Sequence, residues 1–172
     1  MPAVEDAKRR LLKPGGEVLP SAASIMIALV GGDELGRNLH VDESFGFDLR
    51  DFNAIHPKRR PLHREDLERV PMSEDIEAFR FNFAGKSAFP PERKVIEITA
   101  TKAGRCYGVV QWIRLELGEA ARFENHPSQR RAVSNWQHTI YGFDEPVHIQ
   151  IGEVVSVAAM HDRSRPWFER SR

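Results

Sequence analysis

The sequence predicts a mostly β fold: an antiparallel barrel or sandwich with a short N-terminal helix and an irregular arm after the first strand. Three observations carry this. Short apolar segments recur and are closed by glycine, as at residues 25–30 before Gly31-Gly32 and 147–151 before Gly152, the punctuation of antiparallel strands. Alternate positions of residues 76–83 (Ile-Glu-Ala-Phe-Arg-Phe-Asn-Phe) are apolar, the period of a half-buried strand. Hydrophobic residues make up 41% of a 172-residue chain, and a chain of that length buries roughly 70% of its unfolded surface without covalent staples.

Taken in order, residues 1–16 read as the tail of a helix and a junction. Val4, Ala7 and Leu11 follow helical spacing, Lys8, Arg9, Arg10 and Lys13 suit a helix C-terminus, and Pro14-Gly15-Gly16 stops it, with glycine on hand for a left-handed cap. Residues 17–172 form the β domain. Its first strand is the apolar run 25–30. The segment of about 31–75 lacks periodicity and carries Pro57, Pro61, Pro71, His40, His56 and His63; an irregular stretch this long is usually functional or mobile. Within it, Phe45 and Phe47 flank Gly46. They fit a partner surface and equally a loop folded back on its own sheet; Asp66-Leu67 fit one helical turn.

Strands follow at 76–83 and 95–101, the latter with Ile96, Ile98 and Ala100 on one face. Residues 105–117 form a long strand whose apolar face switches near Trp112-Ile113, so a bulge is expected there. Further strands are expected at 136–141, at 147–151 with Val147, Ile149 and Ile151 inward, and at 154–160.

Composition removes several function classes. Lys plus Arg and Asp plus Glu are both 25, which argues against a nucleic-acid binder. The run Lys58-Arg59-Arg60 with Arg64 is matched by Glu65, Asp66, Glu68, Glu74 and Asp75 and reads as a solvated mixed-charge loop. No apolar run approaches the roughly 18 residues that span a bilayer, and the first residues have no signal-peptide core. A cytoplasmic domain with no membrane partner is therefore expected. Cys106 is the only cysteine and, sitting among strand residues, reads as a buried structural thiol.

No complete active site emerges. The serines Ser21, Ser24, Ser44 and Ser134 lack a nucleophile-elbow context, and the glycines form neither a dinucleotide fingerprint nor a phosphate loop. No histidine pair has zincin spacing; His138 and His148, on separate expected strands, could meet across a sheet near His126 or His161 as in a cupin-like metal barrel, but the acid and the tight His-x-His pair of such a barrel are missing. A free-standing ligand- or metal-binding barrel and a protein-interaction module thus stand as alternatives.

A resemblance goes further. Ala7-Lys8-Arg9-Arg10-Leu11-Leu12-Lys13-Pro14-Gly15-Gly16 resembles the helix-to-strand junction late in a class I S-adenosylmethionine (SAM)-dependent methyltransferase domain. Phe45-Gly46-Phe47-Asp48, the strand from Gly108 to Trp112, Asn135-Trp136-Gln137, and Pro146 followed by Gly152-Glu153 resemble, in order, motifs of the C-terminal barrel of the protein arginine methyltransferases. A second Gly-Phe-Asp, at Gly142-Phe143-Asp144, has no counterpart.

The resemblance implies a substrate-docking and assembly barrel, non-catalytic by itself. The SAM-binding half, with its two glutamates, would lie in an upstream domain. This chain would hold no cofactor; its partners would be that domain or a second subunit and a protein or peptide substrate. Ser134, Asn135 and Trp136 would form the substrate-facing loop, and Phe45 and Phe47 the anchors of a dimerisation arm. Where the family has Thr-His-Trp, Ser134-Asn135 stand here; asparagine can hydrogen-bond but cannot become cationic, which bears on arginine as the substrate.

Overall fold

A computed structural model describes residues 1–62, 71–85, 88–118, 121–128 and 136–171. Helix α1 (Pro2–Leu11) leads into strand β1 (Ala22–Gly31). The arm carries α2 (Asp33–Leu39), β2 (Glu43–Ser44), β3 (Phe47–Asp48), α3 (Phe52–Ile55) and β4 (Arg59–Leu62). Then come β5 (Ile76–Asn82), β6 (Glu92–Thr99), β7 (Gly104–Glu116), β8 (Arg122–Glu124), β9 (His138–Ile149), β10 (Val154–His161) and β11 (Pro166–Arg170).

Two antiparallel sheets pack face to face, as the alternation of the sequence predicts. The larger runs β4-β9-β7-β1-β5, with β8 pairing on β7; the smaller runs β11-β10-β6. Between them lies the main core, with Ile27 and Leu29 from β1, Phe79 and Phe81 from β5, Ile98 from β6, Val157 and Ala159 from β10 and Phe168 from β11. The other face of the large sheet is covered as well. Met26, Ala28, Val30, Val110, Trp112 and Ile140 form a second cluster with Leu35 of α2. Strands β1 and β7 are therefore apolar on both faces, which is why their sequences read as continuous runs.

The face switch expected near Trp112-Ile113 lies elsewhere. The β1–β7 register is unbroken from Ala22↔Glu116 to Val30↔Gly108, and the irregularity falls between Cys106 and Gly108. One extra residue there flips the parity of the strand. Cys106 thus joins Val109 in the main core, whereas Val110 and Trp112 fill the second. Cys106 is a free, fully buried thiol, as expected.

The strands expected at 136–141 and 147–151 are one strand, β9. Pro146 sits in the bulged stretch between the Gly108↔Gly142 and Cys106↔Val147 pairs, where β7 asks no N–H of it. Ile151, expected inward, is 72% exposed in the β9–β10 turn.

The arm is not uniformly irregular. β4 rejoins the large sheet on β9, Arg59↔Tyr141 to Leu62↔His138. At the far end the Met72 N–H donates to the Leu29 carbonyl at 2.8 Å, and the Ser73 hydroxyl accepts from the Leu29 N–H at 2.9 Å. The turn at Asp66-Leu67 and His63 lie outside the described residues.

Helix α1 ends at Leu11, with Leu12 already extended; Pro14, two residues on, has no N–H with which to continue the helix. Gly15, at φ 73°, serves the following turn rather than the helix cap. The helix is tied to the barrel. Glu5 accepts from the Phe89 N–H at 2.9 Å and pairs with Arg163, Lys8 donates to the Phe83 carbonyl, and Met1 and Val4 pack on the main core. None of the described helices is long and apolar enough to cross a membrane.

At Gly108 the backbones of β7 and β9 approach closely. A Cβ there would stand 2.1 Å from the Tyr141 carbonyl oxygen, and a carbonyl in a ladder cannot swing away. Gly108→Ala is expected to lose about 1–3 kcal/mol. In urea denaturation it should lower the midpoint while leaving the slope unchanged.

Candidate functional site

Two surface features emerge from this frame, one at each end of β7. The first is built on the β7–β8 hairpin, where Arg114 pairs with Glu124, Leu115 with Phe123 and Glu116 with Arg122. Beyond β8, the buried Asn125 works as a bracket. Its Oδ1 accepts from the Ile113 N–H at 2.9 Å, its Nδ2 donates to the Trp136 carbonyl at 3.0 Å, and its own carbonyl accepts from His138 Nε2 at 2.6 Å. The bracket fixes where the chain enters β9. Trp136, 53% exposed, leans on Phe123 with ring centroids 5.5 Å apart.

Behind that aromatic pair lies a closed polar cluster. Glu124, whose side chain is 7% exposed, accepts from the Trp112 indole at 2.8 Å, from Arg114 Nε at 3.0 Å and from Arg122 at 2.8 Å. Burial pushes its carboxyl pKa up, but the hydrogen bonds from Arg114 and Trp112 and the charges of Arg114 and Arg122 outweigh burial, leaving it below the ordinary 4.5. Its oxygens are engaged within the hairpin, so its role is to hold the hairpin rather than to receive a substrate cation. His126 completes the wall, edge-on to Trp112 at 5.1 Å. Its Nδ1 accepts from the Ser128 N–H at 3.1 Å, so Nε2 carries the proton and donates to Asp75 at 3.1 Å.

Of the three residues expected in the substrate-facing loop, Trp136 sits at the surface on Phe123, and Ser134 and Asn135 lie outside the described residues. The histidines that a cupin-like metal barrel would bring together across a sheet do not meet: His138 and His148 are ten residues apart on the one strand β9. His161 packs against Phe79 and Phe81, and burial lowers its pKa. Among the described residues no group of three metal-ligating side chains converges.

The second feature is the arm. β2 and β3 form a hairpin whose two turn residues, Phe45 and Gly46, both have positive φ (51° and 82°), the geometry of a type I′ turn. Phe45 is 99% exposed and Phe47 70%; the hairpin does not fold back onto the sheet. Arg50 clamps Asp48 through two nitrogens, at 3.0 and 2.6 Å, and holds its carboxyl pKa down to about 2. Asn53 ties the base of the arm, accepting from the Val41 N–H at 3.0 Å and donating to its carbonyl at 2.8 Å. Phe52 and Ile55 of α3 are exposed too. Their i, i+3 spacing is a signal that sequence reasoning missed. Between arm and sheet lies an open cleft of about 780 Å³, bordered by α2, α3, the segment 56–60 and the 142–146 stretch of β9.

Comparison with known proteins agrees with this geometry. The chain is 30% identical over 158 residues to the arginine N(omega)-methyltransferase of Streptomyces achromogenes subsp. streptozoticus, covering 91% of this chain and 43% of the relative. It belongs with the barrel domains of the protein arginine methyltransferase family. It is 24% identical to mouse protein arginine N-methyltransferase 9 over 161 residues, 91% of this chain and 18% of that one. Against the probable protein arginine N-methyltransferase 3 of Arabidopsis thaliana the identity is 28% over 167 residues, 87% and 27%. The fold matches the solved Trypanosoma brucei PRMT1 enzyme–prozyme heterotetramer with AdoHcy at a TM-score of 0.68 and 18% identity, over 92% of this chain and 53% of that one. No family model matches. The chain thus spans less than half the length of these curated relatives.

The depressed Glu124 carboxyl sets a pH dependence. The fold favours its charged form, so its contribution is whole above pH 4.5 and is lost as the pH falls through the lower folded value. Glu124→Gln is therefore expected to be less stable than the parent at neutral pH. Urea midpoints measured down a pH series should show the gap closing below pH 4.5.

Proposed function

We propose that this chain is the substrate-docking and assembly barrel of a protein arginine methyltransferase-like, SAM-dependent enzyme, and that it does not catalyse methyl transfer alone. The observation that carries this reading is the arm tip. A chain that packs Phe79, Phe81, Phe83, Phe89, Phe143 and Phe168 into its interior holds Phe45 and Phe47 out on a two-stranded hairpin. Exposed aromatics on a protruding element mark a surface that a partner covers. The partner would be a methyltransferase domain, preceding this one or in a second subunit; exposed Leu11 and Leu19 in the helix and junction support such a neighbour. That a family relative was solved as a heterotetramer is in keeping with assembly through subunits.

The Trp136–Phe123 pair would be the barrel's share of the substrate groove. An exposed indole presents a negative π face to a guanidinium, and arginine is the group named in the matched relatives. Asn125 fixes the Trp136 backbone through the bond to its carbonyl, so the ring would be offered in one place. SAM would be held outside this chain, and the SAM-binding half would supply the carboxylates that orient the guanidinium.

The reading is tested on the 172-residue protein. Calorimetric titration with SAM is expected to give no saturable heat; micromolar affinity would overturn the non-catalytic assignment. An arginine-rich peptide is expected to bind weakly, and Trp136→Ala to weaken it about two- to fivefold, as loss of an exposed cation–π contact does. Unchanged peptide affinity in that variant would remove Trp136 from the groove.

A further inference from the structure

We propose that the cleft between the arm and the large sheet binds a small phosphate-bearing ligand, held by Arg37, Arg60 and Arg105. Each guanidinium comes from a different element: Arg37 from α2, Arg60 from β4 and Arg105 from β7, and all border the same space. A planar carboxylate is satisfied by one guanidinium fork, whereas cations approaching from separate walls match a tetrahedral, multiply charged oxyanion.

Among the described residues, none of the three has a carboxylate within ion-pair distance, in contrast to Arg50 on Asp48 and Lys58 on Asp144 at the same cleft. Arg60 donates only to the Asn38 carbonyl and to His56, at 3.0 Å from its Nε2. Arg105 lies over the Tyr107 ring, 5.9 Å from its centroid. His40 registers the local field. Burial lowers its pKa most, then Arg105, with Arg60 and His56 adding to the effect and Asp42 opposing it. Of the three, Arg60 is half-buried and burial lowers its pKa; a cation so placed without a counter-charge is costly, and a bound anion removes that cost.

Size and walls narrow the ligand. The volume of about 780 Å³ lies in the range of small-molecule sites. The ring of His40, with the buried Tyr107 ring 5.7 Å behind it and inclined at 37°, gives an aromatic side for the organic part. Asp33, Asp42 and Glu145 also border the cleft; they disfavour an extended polyanion such as a nucleic-acid strand and leave room for a compact one.

The test is calorimetric titration of the whole chain with pyrophosphate at low ionic strength, with inorganic phosphate and a sugar phosphate as parallel probes. Saturable one-to-one binding is expected. Arg105→Gln and Arg60→Gln should each weaken it about tenfold, while Arg170→Gln, on β11, leaves it unchanged. Tighter binding of the sugar phosphate than of pyrophosphate would identify an organic ester; the reverse would identify the free anion. Should Arg60→Gln fail to fold, the double change Arg37→Gln and Arg105→Gln, both at exposed positions, carries the test. No saturable response to any probe in the millimolar range would overturn the proposal. So would affinity unchanged in the double variant, or binding of a glutamate-rich peptide without a phosphate response. The measurement needs neither SAM nor a second subunit, so its failure leaves the docking role untouched.

Discussion

The structure depends on one constraint: β1 and β7, at the centre of the large sheet, must feed two cores at once. A strand offers its side chains alternately to two faces, and here both faces are dry. Even-numbered residues of β1 pack towards α2 and odd-numbered ones towards the small sheet. β7 keeps step with it over nine consecutive pairs, from Ala22↔Glu116 to Val30↔Gly108. At its N-terminal end it slips by one residue so that Cys106 can follow Val109 inward. Gly108, with the Tyr141 carbonyl pressed against it, marks the slip.

The surface features inherit their positions from that frame. At one end of β7, Asn125 and Glu124 hold the hairpin through which the chain reaches Trp136. At the other, Arg105 and Tyr107 form the floor beneath the arm. The arm is anchored at both roots, by Leu35 of α2 in the second cluster and by Met72 and Ser73 on Leu29. A projecting element held this firmly can present a surface without folding onto its own barrel, a property suited to a family whose relatives include a multi-subunit assembly.

The fold class was legible because the strands carry their own period. Phe79, Phe81 and Phe83 alternate with Arg80 and Asn82, and the burial follows. Where one strand serves two cores the period vanishes, so the slip at Cys106–Gly108 was misplaced to the most conspicuous aromatic, Trp112. Gly142 and Pro146 look like strand breakers in one dimension; across a bulge no ladder bond is asked of Pro146, and β9 runs through. Phe45-Gly46-Phe47 left exposure and a fold-back onto the sheet equally open, and the β2–β3 hairpin decides for exposure. The brackets behind Trp136 were not legible, because Asn125 and Glu124 acquire meaning only from Ile113, Trp112 and Arg114 on a neighbouring strand. Likewise, Arg37, Arg60 and Arg105 are scattered in sequence, and only the path of the arm brings them round one cleft.

The turn at the arm tip has an implication for how such a sequence persists. Phe45 occupies left-handed backbone at φ 51°, a conformation that costs a side chain bearing a Cβ about 1–2 kcal/mol and that asparagine or glycine adopts with ease. Its ring, almost wholly in water, recovers nothing within the isolated barrel. Judged by monomer stability alone, mutation should steadily erase this phenylalanine. Under the docking role proposed above, that cost would be repaid outside the chain, where a partner covers the ring.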